Sequence, residues 1–134
     1  MSIEVTIICV VPYRQGTNGP EFFVVRSARG KWEFPREPLK SGDSLSTAAL
    51  KTAETHGLVG SILAEPLGEC RMPNARVLAF LMLVEGCPAD VAPSLWCLAE
   101  EASFRLYRKS QRSFLHEAVR RAHEETRQKA TDRK

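Results

Sequence analysis

Lys31, Arg36 and Lys40 flank a short helical stretch in residues 31–58, KWEFPREPLKSGDSLSTAALKTAETHGL, and Lys51 lies inside it. A loop that runs into a helix N-terminus presents unpaired amides and the positive end of the helix dipole. Cations placed around it therefore suit a phosphate. Two further groups in the stretch could do chemistry. The carboxylate of Glu54 is a hard oxygen ligand, and the imidazole of His56 can ligate a transition metal or move a proton near neutrality. No His-x-x-His, Cys-x-x-Cys or two-His-one-carboxylate spacing surrounds His56. The plainer alternatives are a helix C-terminal histidine stabilised by the dipole, a solvated Glu54 and solvated surface cations.

The elements that must position these groups are legible. Asp43 and Ser44 are both competent N-caps, because their side-chain oxygens can accept first-turn amides. Leu45, Ala48, Ala49 and Ala53 recur at helical spacing and form a narrow stripe, small enough to pack closely on a sheet. Gly57 supplies the left-handed residue that commonly ends a helix, and Leu58 can fold back over the last turn. Upstream, Trp32, Phe34 and Pro35 give an extended segment that stops at proline, and Pro38 keeps the connection irregular.

These residues resemble the Nudix box of the Nudix (MutT-like) hydrolases. Trp32, Phe34, Pro35 and Arg36 fit its opening, Gly42-Asp43-Ser44 the start of its helix, Ala48-Ala49 its small pair, and Gly57-Leu58 its end. Arg26 matches a hydrophobic-Arg strand ending before the box, and Trp96 to Ala102 resembles the family's tryptophan strand and Glu-Ala element. The resemblance implies a Nudix-like α/β/α sandwich with a central mixed β-sheet. It also implies an enzyme that splits a nucleoside diphosphate linked to another moiety, with Mg²⁺ or Mn²⁺ held by helix glutamates.

The box departs from that pattern where the metal would sit. Glu37 stands at the family glycine and Asp43 at the first glutamate. Counting forward from Asp43 puts Lys51 at the arginine and Thr52, Thr55 and His56 at the metal-binding glutamates. Counting back from Gly57 puts Leu50-Lys51 and Glu54-Thr55 at those steps. Neither count restores more than one helix carboxylate. A divalent hard cation wants several oxygen ligands, and two ions beside a pyrophosphate need still more negative charge. On this reading Glu54 is the catalytic candidate, Glu54 and His56 are the metal candidates, and Arg26, Arg36, Lys40 and Lys51 are the substrate-binding candidates.

In chain order, residues 5–11 form a β-branched run suited to a strand covered on both faces, ended by Pro12. Residues 13–21 read as a turn or loop and 22–27 as a second strand. An edge strand is expected around 62–64, a turn over 68–74, a buried strand over 76–85 and an exposed connection over 86–94. Phe104 and Leu106, or Tyr107, continue the apolar side of the short helix after Trp96. A last helix starts near Ser113, capped by Ser110 or Ser113, with Phe114, Leu115, Ala118, Val119 and Ala122 inward. Its end is expected to fray from about residue 126.

The chain has 134 residues, which fits one domain over 1–134. Its 43% hydrophobic and 26% charged content exclude a disordered chain. A net charge of +3 favours polyanions only mildly, and Glu124, Glu125 and Asp132 dilute the basic tail, which argues against nucleic acid. Cys9, Cys70, Cys87 and Cys97 are widely separated and form no ligand motif, so reduced thiols are expected. No apolar stretch reaches membrane-spanning length and no basic leader opens the chain, so a cytoplasmic setting without a membrane partner is expected. A homodimer is the base-rate expectation.

Three functional readings follow. In the first, the chain binds a nucleotide or other phosphate-bearing small molecule, with metal-dependent hydrolysis weak or lost. In the second, an active Mg- or Mn-dependent hydrolase uses substitute carboxylates, Glu54 with Glu69, Glu85 or Glu100. In the third, the chain is a non-catalytic scaffold or regulatory protein.

Overall fold

The structure, a computed structural model, describes residues 5–86 and 94–132, of which 126–132 as backbone alone. Its elements run β1 (Val5–Gly16), β2 (Gly19–Arg26), β3 (Trp32–Glu33), β4 (Arg36–Pro38), α1 (Leu45–Glu54), β5 (Val59–Ile62), β6 (Gly68–Met72), β7 (Ala75–Gly86), β8 (Ser94–Leu98), α2 (Ala99–Arg105) and α3 (Lys109–Asp132). The sheet is mixed. β1 and β7 pair in parallel at its centre, from Val5 opposite Ala75 to Tyr13 opposite Leu83. The other pairings, among them β1 with β2 and β4 and β7 with β5 and β6, are antiparallel.

Strand alternation divides the core into two layers. Ile8, Val10, Leu78, Phe80, Met82 and Val84 face one side, where they meet Ala48, Ala49 and Ala53 of α1 and Leu58. Cys9, Val11, Tyr13, Val77, Ala79 and Leu81 face the other, against Ala102 of α2 and Phe114, Leu115, Ala118 and Ala122 of α3. The result is the expected α/β/α sandwich. The small side chains of α1 let that helix lie close on the sheet. Each large side chain buried in either layer, Phe34 and Phe80 among them, contributes roughly 1.5–3 kcal/mol.

Several local expectations are corrected. β1 does not stop at Pro12 but continues to Gly16. Val10 donates its N–H to Pro35 O at 2.9 Å. Two residues on, the Pro12 nitrogen points to the same side, between the end of the β4 pairing at Cys9 and the start of the β2 pairing at Tyr13. No ladder bond is required there, so proline is tolerated within the strand. Residues 13–21 are mostly hairpin rather than loop, with Gly16 opposite Gly19 across the turn. Residues 68–72 likewise form β6, folded against β7 with Met72 opposite Ala75. The edge strand lies slightly earlier than expected, as β5. Gly60 within it is required sterically, since a Cβ there would come 2.0 Å from Leu83 O.

α3 begins at Lys109, so Ser110 and Ser113 lie inside it and cap nothing. Arg108 O accepts the amides of Gln111 and Arg112. The Arg112 guanidinium bonds Leu106 O at 2.8 Å and ties the first turn to the preceding residue. Leu106 is buried as expected, whereas Phe104 is 91% exposed. The connection expected over 86–94, with Cys87, falls outside the described residues except at its ends. Among the described residues no helix is long and apolar enough to cross a membrane.

Candidate functional site

α1 is fixed at both ends by its own sequence. Ser44 is the cap that forms: its Oγ accepts the Thr47 N–H at 3.2 Å. Asp43 instead holds Lys51 Nζ, at 3.2 and 3.3 Å from its two carboxylate oxygens. At the other end Leu58 N donates to Ala53 O and Gly57 N to Glu54 O, with Gly57 at φ 75°. That pair of bonds closes the helix and turns the chain sharply into β5.

The sheet-facing side of α1 carries Thr52, 2% exposed, with its hydroxyl donating to Ala48 O at 2.8 Å. Thr55 bonds Lys51 O at 3.0 Å in the same way. Both hydroxyls turn back onto their own helix and offer little to a ligand. His56 is half-buried against Phe23 of β2, ring centroids 6.1 Å apart in an edge geometry. Burial holds its imidazole below the ordinary value, while the charge of Glu37 pulls the other way. Phe23 also meets Trp96 edge-on at 5.3 Å, and the Arg14 guanidinium lies 4.3 Å from the Trp96 ring centroid. Arg14 in turn pairs with Glu21 at 2.8 Å.

Strand register sorts the remaining candidates. Glu37 lies opposite Ile8, whose side chain faces α1, so Glu37 shares that face and approaches His56. Arg36 lies opposite Cys9, whose side chain faces α3, and Arg26 alternates with Phe22 and Val24 on that same face. Arg36 sits 3.7 Å from Glu33 Oε2, which is also 3.8 Å from Arg108 Nε. Arg26 folds over Gly30. Lys40 is exposed at the entry to α1, its carbonyl accepting the Asp43 N–H. Glu54 is exposed, and its carboxylate has no partner among the described residues.

The α1 face therefore carries Thr52 and Lys51 from the helix, Asp43 just before it and His56 just after it, Glu37 from β4, and Phe23, Trp96 and Arg14 from β2, β8 and β1. Sequence reasoning passed over Glu37, Phe23, Trp96 and Arg14. For Glu37 the usable signal was alternation along the strand after Pro35. The substitute carboxylates are scattered. Glu69 is engaged by Arg76 at 2.5 Å and Arg71 at 3.4 Å, Glu100 belongs to α2 on the far face, and Glu85 is exposed near the end of β7. Among the described residues, no three His, Cys, Asp or Glu side chains converge to hold a metal ion.

Scanned against protein-family models and against curated protein sequences, the chain matches none. Solved structures do match its fold. A mutT/nudix family protein from Listeria innocua superposes with TM-score 0.72 at 17% identity, covering 94% of this chain and 98% of that one. An Ap4A hydrolase of C. elegans gives 0.68 at 19% identity, covering 86% and 96%. The NUDIX domain of Shewanella oneidensis NrtR, complexed with ADP ribose, gives 0.69 at 12% identity, covering 90% of each chain. The chain thus has the Nudix fold over most of its length. The donors on α1 and at its C-terminal end do not fit the divalent cations that the resemblance implies: by the forward count two self-bonded hydroxyls and a half-buried imidazole, and by the backward count the lone exposed carboxylate of Glu54, stand where several hard oxygen anions are needed.

Proposed function

We propose that this chain is a Nudix-fold binding protein that holds a nucleotide or another phosphate-bearing small molecule on the α1 face, with metal-dependent pyrophosphate hydrolysis weak or lost. The observation that carries the reading is Thr52. At a position where the forward count expects a metal-binding glutamate, a buried hydroxyl is satisfied by Ala48 O of its own helix. With Thr55 and His56 in the neighbouring positions, the face is too poor in anions to bring two cations to a diphosphate. Binding does not need that set. Lys40 and Lys51 supply positive charge at the helix, and the half-buried Trp96 ring, packed on Phe23, offers an aromatic edge on the same face. Arg26 and Arg36, on the opposite face, take no part in this reading.

The test pairs calorimetric titration of the purified chain against ADP-ribose and nucleoside diphosphates with a phosphate-release assay in Mg²⁺ and Mn²⁺. Saturable binding with no turnover above the protein-free rate is the expected result. Rapid Mg²⁺-dependent cleavage abolished by Glu54→Gln would overturn it in favour of an enzyme with substitute carboxylates. Absence of binding to every such ligand would favour a scaffold.

A further inference from the structure

The net charge of +3 conceals an uneven distribution. Residues 26–36 and 105–112 hold eight of the chain's 19 Lys and Arg but only one of its 16 Asp and Glu, Glu33, and so carry a formal +7 between them. The fold lays these two stretches side by side. Leu106 bridges Trp32 in parallel, the Tyr107 N–H donates to Trp32 O at 3.4 Å, and Trp32 is the cross-strand partner of Arg26. Half of the eight cations are engaged. Arg105 pairs with Glu101 at 2.9 Å, Arg112 bonds Leu106 O at 2.8 Å, and Arg36 and Arg108 share Glu33 Oε2 at 3.7 and 3.8 Å. The other four, Arg26, Arg29, Lys31 and Lys109, are exposed and make no ion pair among the described residues. Acceptors are short even inside the cluster: Arg108 Nε is out of solvent with no hydrogen-bond partner among the described residues. Two aromatic rings lie among these charges. The Arg105 guanidinium is 5.3 Å from the Trp32 ring centroid and that of Arg108 is 4.8 Å from the Tyr107 ring, which is itself on a residue 42% exposed.

We propose that this edge of the sheet, formed by the β2–β3 turn and the α2–α3 junction, binds single-stranded nucleic acid, with phosphates on Arg29, Lys31 and Lys109 and a base stacked on Tyr107. Like charges gathered on one surface repel each other, and a chain of phosphates relieves that repulsion while releasing its own counterions. An open aromatic ring among the cations selects an unpaired strand, because a duplex shows its phosphates but keeps its base faces stacked inside. The readout is sequence-tolerant, since every base has a face to stack. Nothing in this proposal rests on the α1 face: Arg26, Trp32 and Arg36 belong to the α3 side of the sheet.

Fluorescence anisotropy of labelled oligouridylate and oligothymidylate, each about 12 nucleotides long, tests it on the full chain. At about 50 mM salt, saturable binding with a dissociation constant on the order of micromolar is expected. Four free cations predict that the logarithm of the affinity falls against the logarithm of salt with a slope of about −3. Binding of either strand supports the proposal, and the tighter of the two identifies ribose or deoxyribose as the source. Arg29→Glu combined with Lys31→Glu is expected to weaken binding about 10-fold or more and to remove about half of the slope. Tyr107→Ala is expected to weaken it about 10-fold with the slope unchanged, and Tyr107→Phe to keep the wild-type affinity. A duplex of the same length is expected to bind more weakly than either strand. Arg71→Glu makes a charge change of the same sign on β6, away from the patch, and is expected to stay within about twofold of wild type. Circular dichroism spectra accompany every variant. No saturable binding of either strand overturns the proposal. So does a duplex bound as tightly as the strands, an Arg71→Glu protein as impaired as the turn variant, or a Tyr107→Ala protein that binds like wild type. Binding to anionic phospholipid vesicles in place of both oligonucleotides overturns it in favour of a membrane surface.

Discussion

The Phe34 N–H donates to Gln111 Oε1 at 2.9 Å, a buried hydrogen bond between the extended segment before α1 and the first turn of α3. Both side chains are essentially out of solvent. Gln111 is thus the polar group in the α3 layer that lets the chain leave the sheet at Pro35 without an orphaned amide. Gln111→Leu keeps the volume but removes the acceptor. It is expected to cost about 1–3 kcal/mol of stability, read as a lower urea midpoint with an unchanged slope.

Asp43 and Lys51 give a prediction with two opposite signs. Their ion pair is largely open on the lysine side, so it adds under about 1 kcal/mol to stability. Its larger effect is on ligand affinity, because the carboxylate competes with any phosphate for the ammonium. Lys51→Ala is expected to weaken binding of a nucleoside diphosphate several-fold, and Asp43→Ala to tighten it, both measured by titration calorimetry with melting temperatures as the control.

His56 sets a pH dependence. Its folded-state pKa lies below the ordinary 6.5, with burial the larger cause and the Glu37 charge opposing it. The unfolded chain therefore takes up a proton first as pH falls. The stability this group contributes is present above about pH 6.5 and is lost as pH drops through the folded-state value. Urea midpoints measured between about pH 7.5 and about pH 5.5 are expected to fall, and less steeply in His56→Leu. Equal slopes for the two proteins would remove His56 as the cause.

The buried thiols are inert. Burial pushes Cys9 up to about 12 and Cys97 to about 11, so almost no thiolate exists at neutral pH. An alkylating reagent at about pH 7.5 is expected to spare both in the native protein and to reach half-buried Cys70 ahead of them. Peptide mass spectrometry after a timed quench checks this. Labelling of Cys9 as fast as that of Cys70 would mean that the sheet centre opens readily.

The layers of the fold were legible because they follow from local pattern. The alanine stripe of α1, the β-branched run of β1 and the apolar run of β7 each have one reasonable burial. What stayed hidden depended on pairing. Pro12 reads as a stop unless the gap between the β4 and β2 ladders is known, and the 68–74 segment reads as a turn until β7 is laid beside it. The site was legible in its deficit and not in its membership. The missing glutamates could be counted along the helix, but Glu37, Phe23 and Trp96 come together through sheet register, and the same register carries Arg26 and Arg36 to the other face. Phe104 was misplaced because helical spacing alone does not show where α3 crosses α2.

The parallel pairing of β1 with β7 governs how the molecule must be made. β1 leaves the ribosome well before β7, and the strand that covers its far side is not complete until Gly86 has been added. At about 5–20 residues per second, the intervening synthesis leaves that apolar segment waiting for several seconds. Its hairpin with β2 can form meanwhile, yet the central ladder cannot, and such long-range closure is intrinsically slow. The newborn chain is therefore most exposed to aggregation through its first strand, and a holdase that grips residues 5–13 until β7 emerges would raise the yield of folded protein.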